Sequence, residues 1–369
     1  MKYYIISGEA SGDLHGSNLI KELQNLDSLA DIRCWGGDLM QATGATVVKH
    51  YRDLAFMGFT EVIKNIGTIF KNISFCKKDI SAYKPDVLIL IDYPGFNLRI
   101  AEWAKKQGLK IVYYISPQIW AWKESRVHSI KKNVDKMLVI LPFEKRFYEK
   151  WNFEVEYVGH PLIEVIGKFK QESTGLPFTG NEQVVALLPG SRKQEILKKL
   201  PIMLEVAKHF PEHLFMVAKA PGLTDEFYAV LLQPYSNVRS VTNKTYDLLL
   251  SAKAALVTSG TATLETALFD VPEVICYKGN KISYLIARQL IKIKYIGLVN
   301  LIMDKEVVKE LIQDDLTVNN LVAELKQLLF DNDKKARLQK DYRELKALLT
   351  AGGNASANAA RSIYNLLHS

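Results

Sequence analysis

The spacing of apolar and polar positions changes character repeatedly along this chain. Short aliphatic or β-branched runs occur at Lys2–Ile6, Asp31–Trp35, Asp86–Ile91, Lys110–Ile115, Lys136–Leu141 and Glu154–Val158. Between them lie stretches with helical spacing, such as Phe96–Gln107, Lys123–Asn133 and Glu144–Trp151. Apolar strands alternating with amphipathic helices predict a parallel, doubly wound sheet. A polar stretch with Gly167, Gly175, Pro177 and Gly180 interrupts the alternation, which restarts at Gln183–Leu188. Later strands are expected at His213–Val217, Val238–Val241, Ala254–Thr258 and Val274–Tyr277. Helices are expected at Lys193–His209, Tyr246–Ser251, Thr263–Phe269 and Ile282–Ile291. The last third reads as helical over Val318–Leu349, and beyond Gly352-Gly353 a final helix is expected near Ser356–Leu367.

The fold class that follows is α/β, with two Rossmann-like doubly wound domains facing each other across a cleft. We place the first domain at residues 1–165, a linker at 166–182 and the second domain at 183–350. The C-terminal helix, about 352–369, is expected to pack back on the first domain. A length of 369 residues fits two domains at roughly 100–200 residues each.

One segment allows two readings. Phe59, Val62, Ile63, Ile66, Ile69, Phe70 and Ile73 recur close to a 3.6 period, with Lys64, Lys71, Lys77 and Lys78 supplying charge. This is either an amphipathic helix packed on the sheet or an interfacial helix facing an anionic bilayer or acylated ligand. The net charge of +8 keeps anionic partners in view, whether nucleic acids, membranes or phosphorylated small molecules. No nucleic-acid-binding signature or dense basic tract is present, so no nucleic acid partner is expected. No run reaches 18 apolar residues, so no membrane span is expected. The apolar run at the start is too short for a signal peptide, and Glu9 and Asp13 follow it directly. Cys34, Cys76 and Cys276 are too scattered for a disulfide framework or zinc site, which fits a reducing compartment.

The candidate chemistry sits where predicted strands end, as ligand sites in open α/β sheets do. After the first strand, Gly8 and Gly12 allow tight turning, while Ser11 and Asp13 suit helix capping. Glu9 has no evident capping duty and is a candidate functional carboxylate. Asp92 ends the apolar run Ile89-Leu90-Ile91 just before Pro94-Gly95, a place from which it can take a proton from an attacking hydroxyl. In the second half, Gly190-Ser191-Arg192 opens a helix N-terminus, with the guanidinium as a permanent phosphate partner. Ser259-Gly260-Thr261 forms a second such turn, and Glu265 lies one helical turn further on, where a carboxylate suits ribose hydroxyls. Together they point to a nucleoside diphosphate site. Neither Walker A nor Gly-x-Gly-x-x-Gly is present, which argues against ATP hydrolysis and dinucleotide redox chemistry. Asp331-Asn332-Asp333 reads as helix capping, and His15, His128 and His160 have no metal-ligand spacing. No metal and no cofactor is expected.

These elements, with Ser116-Pro117-Gln118-Ile119-Trp120-Ala121-Trp122, Leu141-Pro142-Phe143-Glu144, Val158-Gly159-His160-Pro161 and Asn300-Leu301, resemble the lipid-A-disaccharide synthase family over residues 8–300. The Pro-x-x-Trp-Ala-Trp element is the most distinctive, although an aromatic packing cluster also accounts for it. The resemblance implies an inverting glycosyltransferase of GT-B type. Its donor would be UDP-2,3-diacylglucosamine and its acceptor 2,3-diacylglucosamine 1-phosphate, giving a β-1,6-linked disaccharide phosphate and UDP. Carried onto this chain, it implies Asp92 as base with Glu9 as a second catalytic candidate. Gly190, Ser191, Arg192, Ser259, Gly260, Thr261 and Glu265 would hold UDP, and Gly8, Ser11 and Asn300 would line the acceptor side or cleft. The expected location is the cytoplasmic face of an inner membrane, against an anionic surface, with a homodimer left open. Two rivals stay open: a UDP-sugar 2-epimerase, and a non-catalytic membrane-binding module.

Overall fold

The computed structural model describes residues 1–54, 66–175, 183–280 and 294–368. The chain divides into two compact units, Met1–Pro161 with Leu349–Ser369, and Leu162–Leu348.

The first unit is built on strands β1 (Lys2–Ile6), β2 (Asp31–Gly36), β3 (Thr46–His50), β4 (Val87–Ile91), β5 (Lys110–Tyr114), β6 (Lys136–Val139) and β7 (Glu156–Tyr157). They form one sheet in the order β3-β2-β1-β4-β5-β6-β7, and every pairing is parallel. Side chains of a strand alternate between faces, so Tyr4 and Ile6 enter one apolar layer while Tyr3 and Ile5 enter the other. Helices Ile66–Tyr83, Pro94–Lys106 and Arg126–Asn133 cover the first layer. Helix α1 (Ala10–Leu26) and the C-terminal helix Ala355–His368 cover the second, the latter through Ala359, Ala360 and Ile363. Both faces are buried, which is why the strands read as continuous apolar runs.

The second unit repeats the plan with β8 (Gln183–Leu188), β9 (His213–Lys219), β10 (Val238–Thr242), β11 (Ala252–Thr258), β12 (Glu273–Tyr277) and β13 (Lys309–Ile312). Its parallel sheet runs β10-β9-β8-β11-β12-β13.

Several expectations change. Residues 166–172, read as linker, belong to helix Pro161–Glu172, while 176–182 lie outside the described residues. The region Val318–Leu349 is helical as expected, in two helices, Val318–Phe330 and Asn332–Thr350, and Asp331 has the expected capping role, its carboxylate accepting from the Lys334 amide at 2.9 Å. β3 and β13 were not anticipated; both are short edge strands whose half-buried residues give no clean period. The expected helix Ile282–Ile291 lies outside the described residues, as do Phe59, Val62, Ile63, Lys64 and the side chain of Ile66. In the described part of that stripe, Ile73 is buried and Ile69 packs on the same core, while Phe70 is 62% exposed and Phe75, further along, 46%. The helix therefore spends its main apolar face on the sheet and leaves Phe70 outside, while the part-exposed Phe75 ring lies 6.1 Å from that of buried Trp35.

Candidate functional site

In the first unit, β1 and β4 are neighbours, so the turns at their carboxyl ends lie side by side. Gly8 is where they touch. A Cβ there would stand 2.4 Å from the Tyr93 ring, so only glycine lets the β4 turn close over the β1 turn. Asp92 and Tyr93 both take left-handed backbone conformations, φ +42° and +49°, which are sparsely populated for side-chain-bearing residues. The fold holds them there from beneath. The buried Asn97 amide donates to the Asp92 carbonyl at 2.7 Å and the Ile91 carbonyl at 3.2 Å, and the buried Tyr113 hydroxyl donates to the Asp92 carbonyl at 2.5 Å. Pro94 then opens the next helix at its first turn, where a missing N–H costs nothing. Thus the helix begins at Pro94, two residues before the Phe96 expected from the sequence, with Asp92 directly ahead of its N-cap Tyr93.

This turn leaves the Asp92 carboxyl half-buried, with its pKa raised to about 6, chiefly by burial and then by the negative charge of Glu9. The structure therefore brings the two candidate carboxylates together. Glu9 is exposed and occupies the N-cap position of α1, yet its side chain makes no capping bond. Ser11 is exposed on the first turn of α1. Asp13 does something else: its buried carboxylate accepts from the amides of Gly37, Leu39 and Met40 at 2.7–3.0 Å. It caps α2 (Asp38–Gln41) instead of its own helix.

The loop after β5 borders the Asp92 turn, because β5 pairs with β4. Trp120 lies buried there, edge-on to Phe143 at 4.9 Å, and its indole N–H donates to Glu144 at 3.2 Å. Glu144 also accepts from the Leu141 amide at 3.0 Å, closing the N-terminus of helix Pro142–Glu149. Burial raises its pKa to about 7. Packing thus accounts for Trp120 of the Pro-x-x-Trp-Ala-Trp element.

In the second unit, β8 and β11 are adjacent and the strand order runs outward from them in both directions, the arrangement that opens a ligand crevice in α/β sheets. An open hollow of about 340 Å³ lies at their carboxyl ends, lined by Gly190, Ser191, Ser259, Gly260, Thr261 and Glu265 among others. Helices Lys193–Ala207 and Thr261–Leu268 start here, and neither has a side-chain cap. Their first amides are therefore open to an anion. Gly190 has φ +114°, and a Cβ there would meet Glu195 Oε2 at 2.9 Å. Arg192 occupies the N-cap position of the first helix, half-exposed, with its guanidinium 3.5 Å from Glu195.

Glu265 is half-buried in the hollow wall, and the Tyr246 hydroxyl donates to its Oε1 at 2.6 Å. Burial raises the Glu265 pKa, and this hydrogen bond opposes the rise. Asn300 is fully buried, with its amide committed: it donates to the Val308 carbonyl and Glu310, and accepts from the amides of Val307 and Val308. Glu310 in turn holds the amides of Ile296 and Gly297, and Ser259 donates to the Ile296 carbonyl at 3.1 Å. Asn300 thus braces the segment behind the Ser259 turn and does not itself line the hollow.

Sequence reasoning missed Lys219, which lines the same hollow and pairs with Asp225 at 2.7 Å. It is the last residue of β9, a strand read from the sequence as ending at Val217. Its signal was there: a cation at the carboxyl end of a parallel strand. Among the described residues, no group of three or more His, Cys, Asp or Glu side chains could hold a metal ion.

Comparison with known proteins adds the following. The lipid-A-disaccharide synthetase family profile matches residues 3–364. A lipid-A-disaccharide synthase of Geobacter metallireducens is 40% identical over 95% of this chain and 93% of its own length. One from Legionella pneumophila (strain Paris) is 37% identical over 98% of this chain and 96% of its own. Among solved structures, a UDP-GlcNAc 2-epimerase from Neisseria meningitidis bound to UDP-GlcNAc superposes with TM-score 0.69 at 14% identity, covering 100% of both chains. The glycosyltransferase of kitacinnamycin does so with TM-score 0.69 at 15% identity, covering 99% of both. At such identities these two establish the fold alone.

Proposed function

We propose a division of labour between the two units of this chain, which belongs to the lipid-A-disaccharide synthase family. It is a hexosyltransferase of lipid A biosynthesis. In our reading the donor is UDP-2,3-diacylglucosamine and the acceptor 2,3-diacylglucosamine 1-phosphate. The second unit binds the nucleotide. The open helix N-termini after Gly190 and Gly260 and the Arg192 guanidinium receive the diphosphate, and Glu265 takes the ribose hydroxyls. The first unit supplies the base. Asp92 accepts the proton of the acceptor 6-hydroxyl as its oxygen bonds to the donor anomeric carbon and the carbon–oxygen bond to UDP breaks. Back-side attack inverts the anomeric centre and gives a β-1,6 linkage. Fixed N–H dipoles and Arg192 neutralise charge growing on the departing diphosphate, so no metal enters this mechanism.

The observation that carries the assignment is Asp92: a half-buried carboxyl near pKa 6 on a strained turn, beside a second acid. A base so tuned is ionised at neutral pH yet basic enough to take a proton. We also propose that the enzyme works at the cytoplasmic face of an inner membrane. Exposed Phe70 and Phe75, with Lys71 and Lys78 on the same helix, support this, and among the described residues no helix is long and apolar enough to cross a membrane. The test is mass detection after mixing purified protein with both lipids in detergent. A tetra-acylated disaccharide monophosphate, one per UDP released, is expected. Conversion of UDP-GlcNAc without an acceptor would replace this reading with an epimerase.

A further inference from the structure

We propose that Tyr246 is a positioning residue that sets the preference of the donor site for a nucleotide carrying ribose hydroxyls, by fixing the carboxylate of Glu265 through one hydrogen bond. This rests on the reading of Glu265 as the ribose partner, and goes beyond it by saying what makes that carboxylate selective.

The geometry points this way from three sides. Glu265 follows Thr261 by four residues on one helix, a rise of about 6 Å, so its carboxylate stands one step from the anion-binding amides. A nucleoside diphosphate places its sugar diol at such a step from its phosphates. Second, the Tyr246 hydroxyl takes Oε1 at 2.6 Å, leaving the rest of the carboxylate's acceptor capacity for hydroxyl donors in the hollow. Third, Tyr246 is itself immobilised. Its ring meets Phe169 edge-on at 5.3 Å and Phe269 at 5.1 Å, and it lies in the first turn of helix Thr245–Ser251. Burial first, and then the charge of Glu265, hold the phenol far above its ordinary pKa. It stays protonated and can only donate to the carboxylate.

Tyr246 also affects protonation. Its hydrogen bond favours the ionised carboxylate against the burial that disfavours it. Without the phenol, Glu265 would have freer torsions and would protonate at higher pH. A protonated carboxyl loses much of its acceptor strength toward a diol.

The experiment is calorimetric binding of UDP and 2′,3′-dideoxy-UDP to the full chain, its Tyr246→Phe variant and its Glu265→Gln variant. The parent should prefer UDP, and Glu265→Gln should remove most of that preference. Tyr246→Phe keeps the ring packing and should weaken UDP binding by about 3- to 10-fold, the loss of one charge-assisted bond partly replaced by water. Its affinity for the dideoxy compound should match that of the parent, which also checks folding. The deficit for UDP should widen as pH falls, because the variant's carboxyl protonates at higher pH than the parent's. If Tyr246→Phe keeps the parental ratio while Glu265→Gln loses it, Tyr246 is only packing and the proposal fails alone. If Glu265→Gln keeps the ratio, the ribose assignment fails and the proposal falls with it.

Discussion

Replacing Tyr113 by phenylalanine isolates one hydrogen bond in the turn that presents Asp92. Two residues with left-handed backbone, Asp92 and Tyr93, sit there in succession, at a cost of about 1–3 kcal/mol each, with aspartate at the lower end because its short polar side chain tolerates the region. The Asp92 carbonyl has two side-chain donors, Tyr113 at 2.5 Å and Asn97 at 2.7 Å. A neutral hydrogen bond contributes a net 0.5–1.5 kcal/mol, roughly, so Tyr113→Phe should cost about 1 kcal/mol and lower Tm by about 2–4 °C. The effect on catalysis should be larger. With one donor gone, the strained turn can relax, and a shift of about 1 Å at a reacting group costs on the order of 10²-fold. We expect kcat to fall about 10- to 100-fold with UDP affinity intact, because the turns proposed to hold the diphosphate belong to the second unit.

The pH profile gives an independent reading. On the proposal that Asp92 acts as a base when ionised, kcat should rise with pH through about 6 in the parent. Burial is the main cause of that elevated pKa. A relaxed turn exposes the carboxyl, so the acid limb of Tyr113→Phe should move to lower pH. A variant with the expected drop in Tm but parental kcat and an unmoved limb would show that the carbonyl clamp does not present the base.

Asp92→Asn keeps the shape of the turn and should lower transfer by ~10²–10⁴-fold without changing UDP affinity; near-parental turnover at saturating substrate would remove Asp92 as base. Glu9→Gln should move the acid limb of kcat below about 6, because the charge of Glu9 helps raise the pKa of Asp92; an unmoved limb would show that the two acids do not interact. Arg192→Ala should weaken UDP binding by about 1.5–3 kcal/mol, the worth of a hydrogen bond to a charged group, and unchanged calorimetric affinity would take Arg192 out of the diphosphate site. Phe70→Glu should reduce binding to vesicles containing anionic lipid while leaving Tm near the parent, since that ring is 62% exposed; parental vesicle binding would place the contact elsewhere. Ile69 does not suit this test because it packs on the core, and Phe75 does not because its ring lies 6.1 Å from that of the buried Trp35.

The two sheets were legible because buried parallel strands leave a signal in local sequence. Val87–Ile91 and Gln183–Leu188 are buried along almost their whole length, and such runs can hardly be anything but strands between two helical layers. The edges were not legible for the same reason. Thr46–His50 and Lys309–Ile312 bury few side chains, so their pairing depends on a neighbour that no local window contains. The helix Ile66–Tyr83 illustrates a further limit: periodicity identifies an apolar face but cannot say whether one or two rings fall outside it.

For the candidate sites, sequence singled out turns at strand ends but could not tell what each residue there holds. Asp13 and Asn300 lie in helical first turns that resemble family motifs, yet both turn inward to satisfy backbone amides on other segments. A carboxylate or amide that braces a loop and one that meets a ligand have the same chemistry in one dimension. Only the partners 24 residues away from Asp13, or on β13 for Asn300, separate the two duties. Asp92 is the reverse case. Left-handed backbone is normally signalled by glycine or asparagine, and neither occupies Asp92, Tyr93 or Ile115, where φ is +42°, +49° and +65°. Ile115 is β-branched and among the least suited residues for that region. Aspartate tolerates the region, but Tyr93 and Ile115, at the carboxyl ends of two adjacent strands, contradict local propensity. They do so where burial also raises the pKa of a carboxyl, and we read that conflict as the cost of presenting the proposed base.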